Sequence, residues 1–352
     1  MNIIFTIGDV NGIGLEVLFK ALKSNESWFD SHCFSIMGNA IVLKYVIEKY
    51  YTNFASVCEK GKDILLKSGN NIKIIEINNT NIRLIGKEIR DKKLDLDIGK
   101  VSKEAGAISK HSIIEATQLT ISKDFDALIT LPICKKAIHL IDKFFIGHTE
   151  LITNICSKKN SIMVLFSDNL RIALATIHIP LFKVSRQITA KRLRALIKCF
   201  NSTLKKDFGI NCPKIAMLGL NPHSGDSSMF GSEEHKIINP TIKVMQKKGI
   251  NVEGAFSSDG FFASKNYLNY DGVIAMYHDQ GLIPLKMLSE YSGVNFTANL
   301  QIVRTSPDHG TAFEIAGKNI ANEQSMVAAV NSAIYIVKNR ENYNQKKNIL
   351  II

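Results

Sequence analysis

No apolar run among the 352 residues approaches the roughly 18 that a membrane-crossing helix needs, so no membrane partner is expected. There is no CxxC pair and no short cysteine repeat: Cys33, Cys58, Cys134, Cys156, Cys199 and Cys212 are scattered. That scatter argues against a zinc ribbon or a disulfide framework and fits free thiols in a reducing compartment. Neither a GxGxxG fingerprint nor a P-loop occurs, so no nucleotide site can be read from a glycine motif. Also missing are an internal repeat, a low-complexity linker and any Arg/Lys stripe interleaved with aromatics. The last absence matters because the net charge is +12. The lysines are spread out, with short pairs such as Lys92-Lys93, Lys158-Lys159 and Lys205-Lys206. Attraction of an anionic partner, nucleic acid or a phosphorylated small molecule, is one reading of that charge; the spread favours the other, a solvated lysine-rich surface, and nucleic-acid binding is weakly supported.

What is present is an ordinary globular balance, 45% apolar and 22% charged. The length suits one large or two medium domains, each with its own core. The opening "MNIIFTIGDVNGIG" has no basic segment before its apolar part and reads as a first strand, not a signal peptide, so a cytoplasmic protein is expected. Strands and helices then alternate. A strand at 2–7 and a loop at 8–14 precede the helix "LEVLFKALKS". Residues 34–37, "IKIIEI" and "IRLIG" read as further strands. Apolar residues at helical spacing predict a long helix over 101–123. "DALITLPI" suits a buried parallel strand. "SIMVLF" and "LRIALAT" form a hairpin across Ser167-Asp168-Asn169. "KIAMLGL" and "DGVIAMY" are two more buried strands, with a helix over "EEHKIINPTIKVMQKKG" between them. The tail "EQSMVAAVNSAIYIVKNREN" is an amphipathic helix. This alternation predicts an α/β fold with a mixed sheet.

Polar residues gather just past the strand ends, the edge at which α/β sheets bind ligands. His178 follows "LRIALATI", His223 follows "KIAMLGLNP" and His278 follows "GVIAMY". One such histidine is ordinarily a hydrogen-bonded structural residue. Three in the same topological position point to a shared divalent-metal site with positions left open for substrate. In "AMYHDQG", Asp279 and Gln280 are placed to orient neighbours and Gly281 to permit a turn. "FIGHTE" offers His148 and Thr149, with Gly147 allowing close approach of a ligand and Thr149 a candidate helix cap. "GDVNGIG" superficially resembles a phosphate loop. "NPHSGDSSMFGSEE" reads as a mobile, ligand-facing loop. Lys286, Asn295 and Arg304 would suit a phosphate or carboxylate.

Taken together, "GLNPHSGD", "AMYHDQGLIPLK", "FIGHTE" and "VRTSPDHGTA" resemble the 4-hydroxythreonine-4-phosphate dehydrogenase family of vitamin B6 biosynthesis. The likeness runs from "GDVNGIGLE" to "RTSPDHGTAFEIAG" and is weakest over 25–95. It implies a two-domain α/β/α fold like that of the isocitrate and isopropylmalate dehydrogenases, with the site in the interdomain cleft. The domains would be 1–130 plus 300–352, and 131–299. It implies NAD or NADP, with contacts left unassigned, and one divalent ion (zinc, magnesium or cobalt) on His178, His223 and His278. Substrate contacts would be His148, Thr149, Lys286, Asn295 and Arg304. Lys286 and Asp259 are the candidate catalytic groups. The family works as a homodimer, with His278 expected from one subunit and His178 and His223 from the other. The implied reaction oxidises 4-phosphooxy-L-threonine to a β-keto acid that decarboxylates to 3-amino-2-oxopropyl phosphate. Val10, Leu131, Cys134 and Gly260 depart from the family pattern, where Pro, Ala, Asn and Thr are usual. Alternatives are dehydrogenation of a related hydroxy-acid phosphate or a metal-dependent phosphatase; a nucleic-acid-binding protein fits poorly.

Overall fold

The computed structural model describes residues 1–58, 60–158 and 161–349. Thirteen strands appear among them: β1 Asn2–Thr6, β2 Cys33–Gly38, β3 Ala55–Val57, β4 Asp63–Leu66, β5 Asn71–Glu76, β6 Ala127–Ile129, β7 Ile162–Ser167, β8 Leu170–Leu174, β9 Ile215–Leu218, β10 Val252–Phe256, β11 Gly272–Ala275, β12 Val294–Ala298 and β13 Val303–Pro307. The chain divides into two compact units, Met1–Lys159 with Leu300–Ile334, and Asn160–Asn299 with Tyr335–Ile352.

In the first unit the strand order is β13-β6-β1-β2-β5-β4-β3. The central strands run parallel, and β4 and β3 add an antiparallel edge. Ile3, Ile4, Phe5, Ile36 and Leu128 are fully buried, the continuous apolar habit of a strand covered on both faces. The long helix Lys103–Ile121 starts where Ser102 accepts a hydrogen bond from the Ala105 N–H. "IRLIG" is not a strand. It lies in the helix Thr80–Arg90, capped by Asn79, with Ile82, Gly86 and Ile89 buried along one face. Spacings of four and three residues suit a helical stripe, and a five-residue apolar window cannot display them.

In the second unit the order is β10-β9-β11-β8-β7-β12. Parallel pairing joins β10 to β9, β9 to β11 and β11 to β8, while β7 and β12 run antiparallel to their neighbours. The expected hairpin is present, with Ser167 paired to Leu170. Its core gathers Leu165, Ile172, Leu174, Leu218, Phe261, Val273 and Leu285. Both units are therefore α/β with mixed sheets.

The boundary expected near residue 130 falls instead at 159/160. The reason is packing: the helices Lys135–His139 and His148–Ile155 lie against Lys103–Ile121. The contact is close enough that a Cβ on Gly106 would stand 2.4 Å from the Ala137 carbonyl oxygen. The tail helix Gln324–Ile349 also differs from expectation, because residues from Tyr335 onward group with the second unit. There Arg340 Nε reaches the buried Asp207 carboxylate at 2.6 Å and Asn339 donates to the Asp207 carbonyl.

Candidate active site

Candidate residues fall in both units. In the second, the ends of β8 and β11 are tied together. The Ala175 N–H donates to the Ala275 carbonyl at 2.8 Å, and the Thr176 hydroxyl to the Met276 carbonyl at 2.7 Å. These bonds, joining residues a hundred positions apart, bring the segment carrying His178 beside the one carrying His278. The two imidazole rings lie 5.7 Å apart between centroids. Both line a cavity of about 380 Å³ with Ile177, Leu181, Tyr277 and Asp279. His278 opens the helix His278–Ser289, and its Nδ1 lies 2.7 Å from Asp279 Oδ1. A carboxylate on one ring nitrogen leaves the other free to bind a ligand.

Gly281 makes no turn. It sits buried in the first turn of that helix, where an added Cβ would stand 2.8 Å from Ile172 and 2.9 Å from Leu174. Its role is to let the helix lie close against the sheet.

His223 is exposed on the segment 222–228, where six consecutive residues from His223 to Ser228 have positive φ. The buried Glu234 holds this segment's base, accepting from the Leu220 and Asn221 N–H groups at 2.6 and 2.8 Å. Asp259, exposed, accepts from the Ser257 hydroxyl at 2.5 Å. That bond, a backbone contact at Gly260 and the nearby His223 hold its carboxyl below the usual range. Asp259 is therefore an anion at neutral pH, able to accept a proton or to pair with His223 but not to act as an acid. Lys286 is exposed on the helix His278–Ser289, and Asn295, on β12, keeps a sheltered Oδ1 with no hydrogen-bond partner.

Among the described residues, no group of three His, Cys, Asp or Glu side chains stands ready to hold a metal. The donors have the right chemistry for a divalent ion, but one chain pairs only His178 with His278. The expected grouping of His178 with His223 is not seen.

The first unit carries the remaining candidates. Arg304 on β13 is only 1% exposed, and its Nε and Nη2 donate to Thr130 Oγ1 at 3.1 and 2.5 Å. Burial lowers its pKa to about 9, against which the Glu150 carboxylate helps retain the charge. A surface role for Arg304 is thereby excluded. His148 opens the helix His148–Ile155, and the residue before it, Gly147, occupies the cap position in place of Thr149. Burial, then Arg304 and Lys135, hold His148 well below the ordinary histidine range. Its ring bonds the Leu131 backbone in a contact that favours the protonated form, so the partner is the carbonyl. Its Nε2 is sheltered and has no partner. A neutral imidazole that donates from one nitrogen presents the other as an acceptor.

"GDVNGIG" is not an open phosphate loop. The N–H groups of Asp9, Asn11, Gly12 and Ile13 are all committed, to the Pro132 carbonyl, the Asp9 carboxylate, the Asp9 carbonyl and the Thr311 carbonyl. The departing residues Val10 and Leu131 are both buried. The sequence reading overlooked Asp9, which is 1% exposed and has one carboxylate oxygen without a partner. Burial raises its pKa to about 6, against the lowering effect of the Asn11 and Cys134 N–H groups. Thr130 and Glu234 were also overlooked. Only long-range contacts reveal them, and the local pattern carried no signal for them.

Residues 32–333 match the family model described as pyridoxal phosphate biosynthetic protein PdxA. The chain is 38% identical over 339 residues to the 4-hydroxythreonine-4-phosphate dehydrogenase of Bacteroides thetaiotaomicron, covering 96% of this chain and 88% of that one. It is 34% identical over 335 residues to the D-threonate 4-phosphate dehydrogenase of Pectobacterium atrosepticum, covering 94% and 98%. A crystal structure of the 4-hydroxythreonine-4-phosphate dehydrogenase from Klebsiella pneumoniae superposes with a TM-score of 0.78 at 32% identity, over 95% of this chain and 99% of that one. With motif, fold and sequence agreeing over nearly its whole length, the chain belongs to the PdxA family of pyridoxal phosphate biosynthetic proteins.

Proposed function

We propose that the protein oxidises 4-phosphooxy-L-threonine with NAD or NADP to a β-keto acid that loses carbon dioxide, giving 3-amino-2-oxopropyl phosphate. The observation that carries this reading is the family match over residues 32–333; the motifs resembling the family hold our candidate residues His148, Thr149, His178, His223, His278, Lys286, Asn295 and Arg304.

The substrate bears a phosphate, a carboxylate, a hydroxyl and an amine. Arg304, desolvated and held by Thr130, is a fixed cation for one of the anionic ends. Lys286 and Asn295 are our candidate contacts for the phosphate. His148, neutral with an acceptor nitrogen, suits the substrate hydroxyl or amine better than an anion. Oxidation removes the hydroxyl proton and the hydrogen on the same carbon. Lys286 is our candidate proton carrier, and Asp259 the candidate base. A nicotinamide supplies the hydride acceptor. His178, His223 and His278 would hold the divalent ion, which would supply charge stabilisation at oxygen. Because one chain pairs only His178 with His278, we propose that the set is completed between the subunits of a homodimer. The same reading makes the protein cytoplasmic, and among the described residues no helix is long and apolar enough to cross a membrane.

A second substrate has a specific observation in its favour, the 34% identity to D-threonate 4-phosphate dehydrogenases. Purified protein incubated with each phosphorylated acid and each nicotinamide distinguishes the two. Cofactor reduction with 4-phosphooxy-L-threonine alone supports the first reading. Reduction with D-threonate 4-phosphate alone replaces it. Phosphate release without cofactor reduction would make the protein a phosphatase.

A further inference from the structure

We propose that Gln280 is a positioning residue that sets the three candidate site segments of the second unit in register. Its carboxamide spans three pieces of chain. Oε1 accepts from the Met276 N–H at 2.6 Å; Nε2 donates to the Gly219 carbonyl at 2.6 Å and to Ser258 Oγ at 2.7 Å. Met276 lies two residues before His278. Gly219 follows β9 and leads into the segment bearing His223. Ser258 adjoins Asp259 in the helix Ser258–Ala263. The other face of Met276 is held as well, since its carbonyl accepts from Thr176, two residues before His178. One amide thus joins the supports of His278, His223 and Asp259 directly, and that of His178 through Met276.

An amide is the side chain this place requires. The site needs one acceptor and two donors on a planar group, and both donors of the NH₂ are used. A carboxylate would keep the Met276 bond and face the Gly219 carbonyl with like partial charge. An apolar side chain would leave the Met276 N–H and the Gly219 carbonyl without these partners. Either change frees the ligand-bearing segments to drift, and metal and transition-state geometry tolerate little drift.

This inference rests on the three-histidine reading, so the test separates the two. Full-length wild type, Gln280→Met, Gln280→Glu and Ser258→Ala are titrated with Co²⁺ and followed by visible absorption. Melting temperature, kcat and KM are measured on the same preparations. Gln280→Met is expected to weaken Co²⁺ binding and lower kcat by about 10- to 100-fold. It should also alter the cobalt spectrum, with KM changing far less. Ser258→Ala, which removes a single bond, should fall between it and wild type. If Gln280→Met does not fold, Gln280→Glu carries the same expectation. Wild-type Co²⁺ affinity, spectrum and kcat in a folded Gln280 variant would overturn the inference, as would a variant that loses only melting temperature. Absence of Co²⁺ binding by the wild type itself would instead overturn the three-histidine reading; the split between kcat and KM would then decide Gln280 alone.

Discussion

At the scale of single residues, burial separates side chains that look alike in sequence. In the sequence Arg304 is a candidate anion contact with nothing to mark it as sheltered, yet it is only 1% exposed. Arg304→Ala is expected to raise KM for the phosphorylated substrate by about tenfold or more, the worth of one charge-assisted contact. It should also lower the melting temperature, because Thr130 loses its partner. Arg304→Lys keeps the charge but not the planar fork, so it should restore stability more than KM. Kinetics and melting on one preparation check both. Asp9 makes a pH prediction. Its folded pKa, about 6, stands above the ordinary value of 3.8. Between those values the folded state holds a proton that the unfolded state has released. Its contribution is therefore full below 3.8 and lost as pH rises through about 6, and its size is about 3 kcal/mol. Asp9→Asn should abolish that component of the slope, read from urea midpoints between those pH values. His148 acts in the opposite sense. Its lowered pKa makes stability fall as pH drops below the ordinary histidine value, because only the unfolded state then takes up the proton. None of these environments was legible in sequence, since each depends on neighbours more than a hundred residues away or on desolvation by the whole unit.

At the scale of elements, the strands before His178, His223 and His278 are present as read, but the residues after them do not all have the local structure expected. His278 begins a helix where a turn was expected, so Asp279, Gln280 and Gly281 are helical. Gly281→Ala should cost about 1–3 kcal/mol, the usual penalty of overpacking, because the new methyl meets Ile172 and Leu174. It should also displace His278 and lower kcat. Urea denaturation and turnover of the same variant test the coupling, and an unchanged midpoint would count against the close packing. "IRLIG" failed as a strand for a different reason. Five residues hold too little periodicity to tell a β run from one face of a helix, and the deciding feature was the Asn79 cap.

At the scale of the whole molecule, the metal site we propose needs a third ligand beside the paired His178 and His278. The proposed homodimer would supply it with residues of this chain alone. Inactive His223→Ala and inactive His278→Ala chains, mixed under conditions where subunits exchange, are expected to regain part of the activity, since one hybrid site keeps all its ligands. No recovery with demonstrated exchange would place all three histidines within one chain. Chelation should abolish turnover, and added Zn²⁺, Mg²⁺ or Co²⁺ should restore it; activity unaffected by a chelator that empties the protein of metal would remove the ion from the reaction.

The sequence by itself determined the alternation of strands and helices, the hairpin at Ser167–Leu170, and the placing of His178, His223 and His278 after apolar strands. These follow from periodicity, turn chemistry and motifs, which the chain carries locally. It also carried the family, because "GLNPHSG", "MYHDQG" and "VRTSPDHGTA" are long and ordered. Tertiary structure alone decided that β12 runs antiparallel to β7, that residues 131–159 belong with the first unit, and that His178 meets His278. It alone decided that Arg304 is sealed against Thr130 and that Gln280 spans three segments. The physical reason is common to all of these. Strand partners, burial and side-chain hydrogen bonds are properties of pairs brought together by the path of the chain, and a one-dimensional pattern records only what each residue shares with its near neighbours.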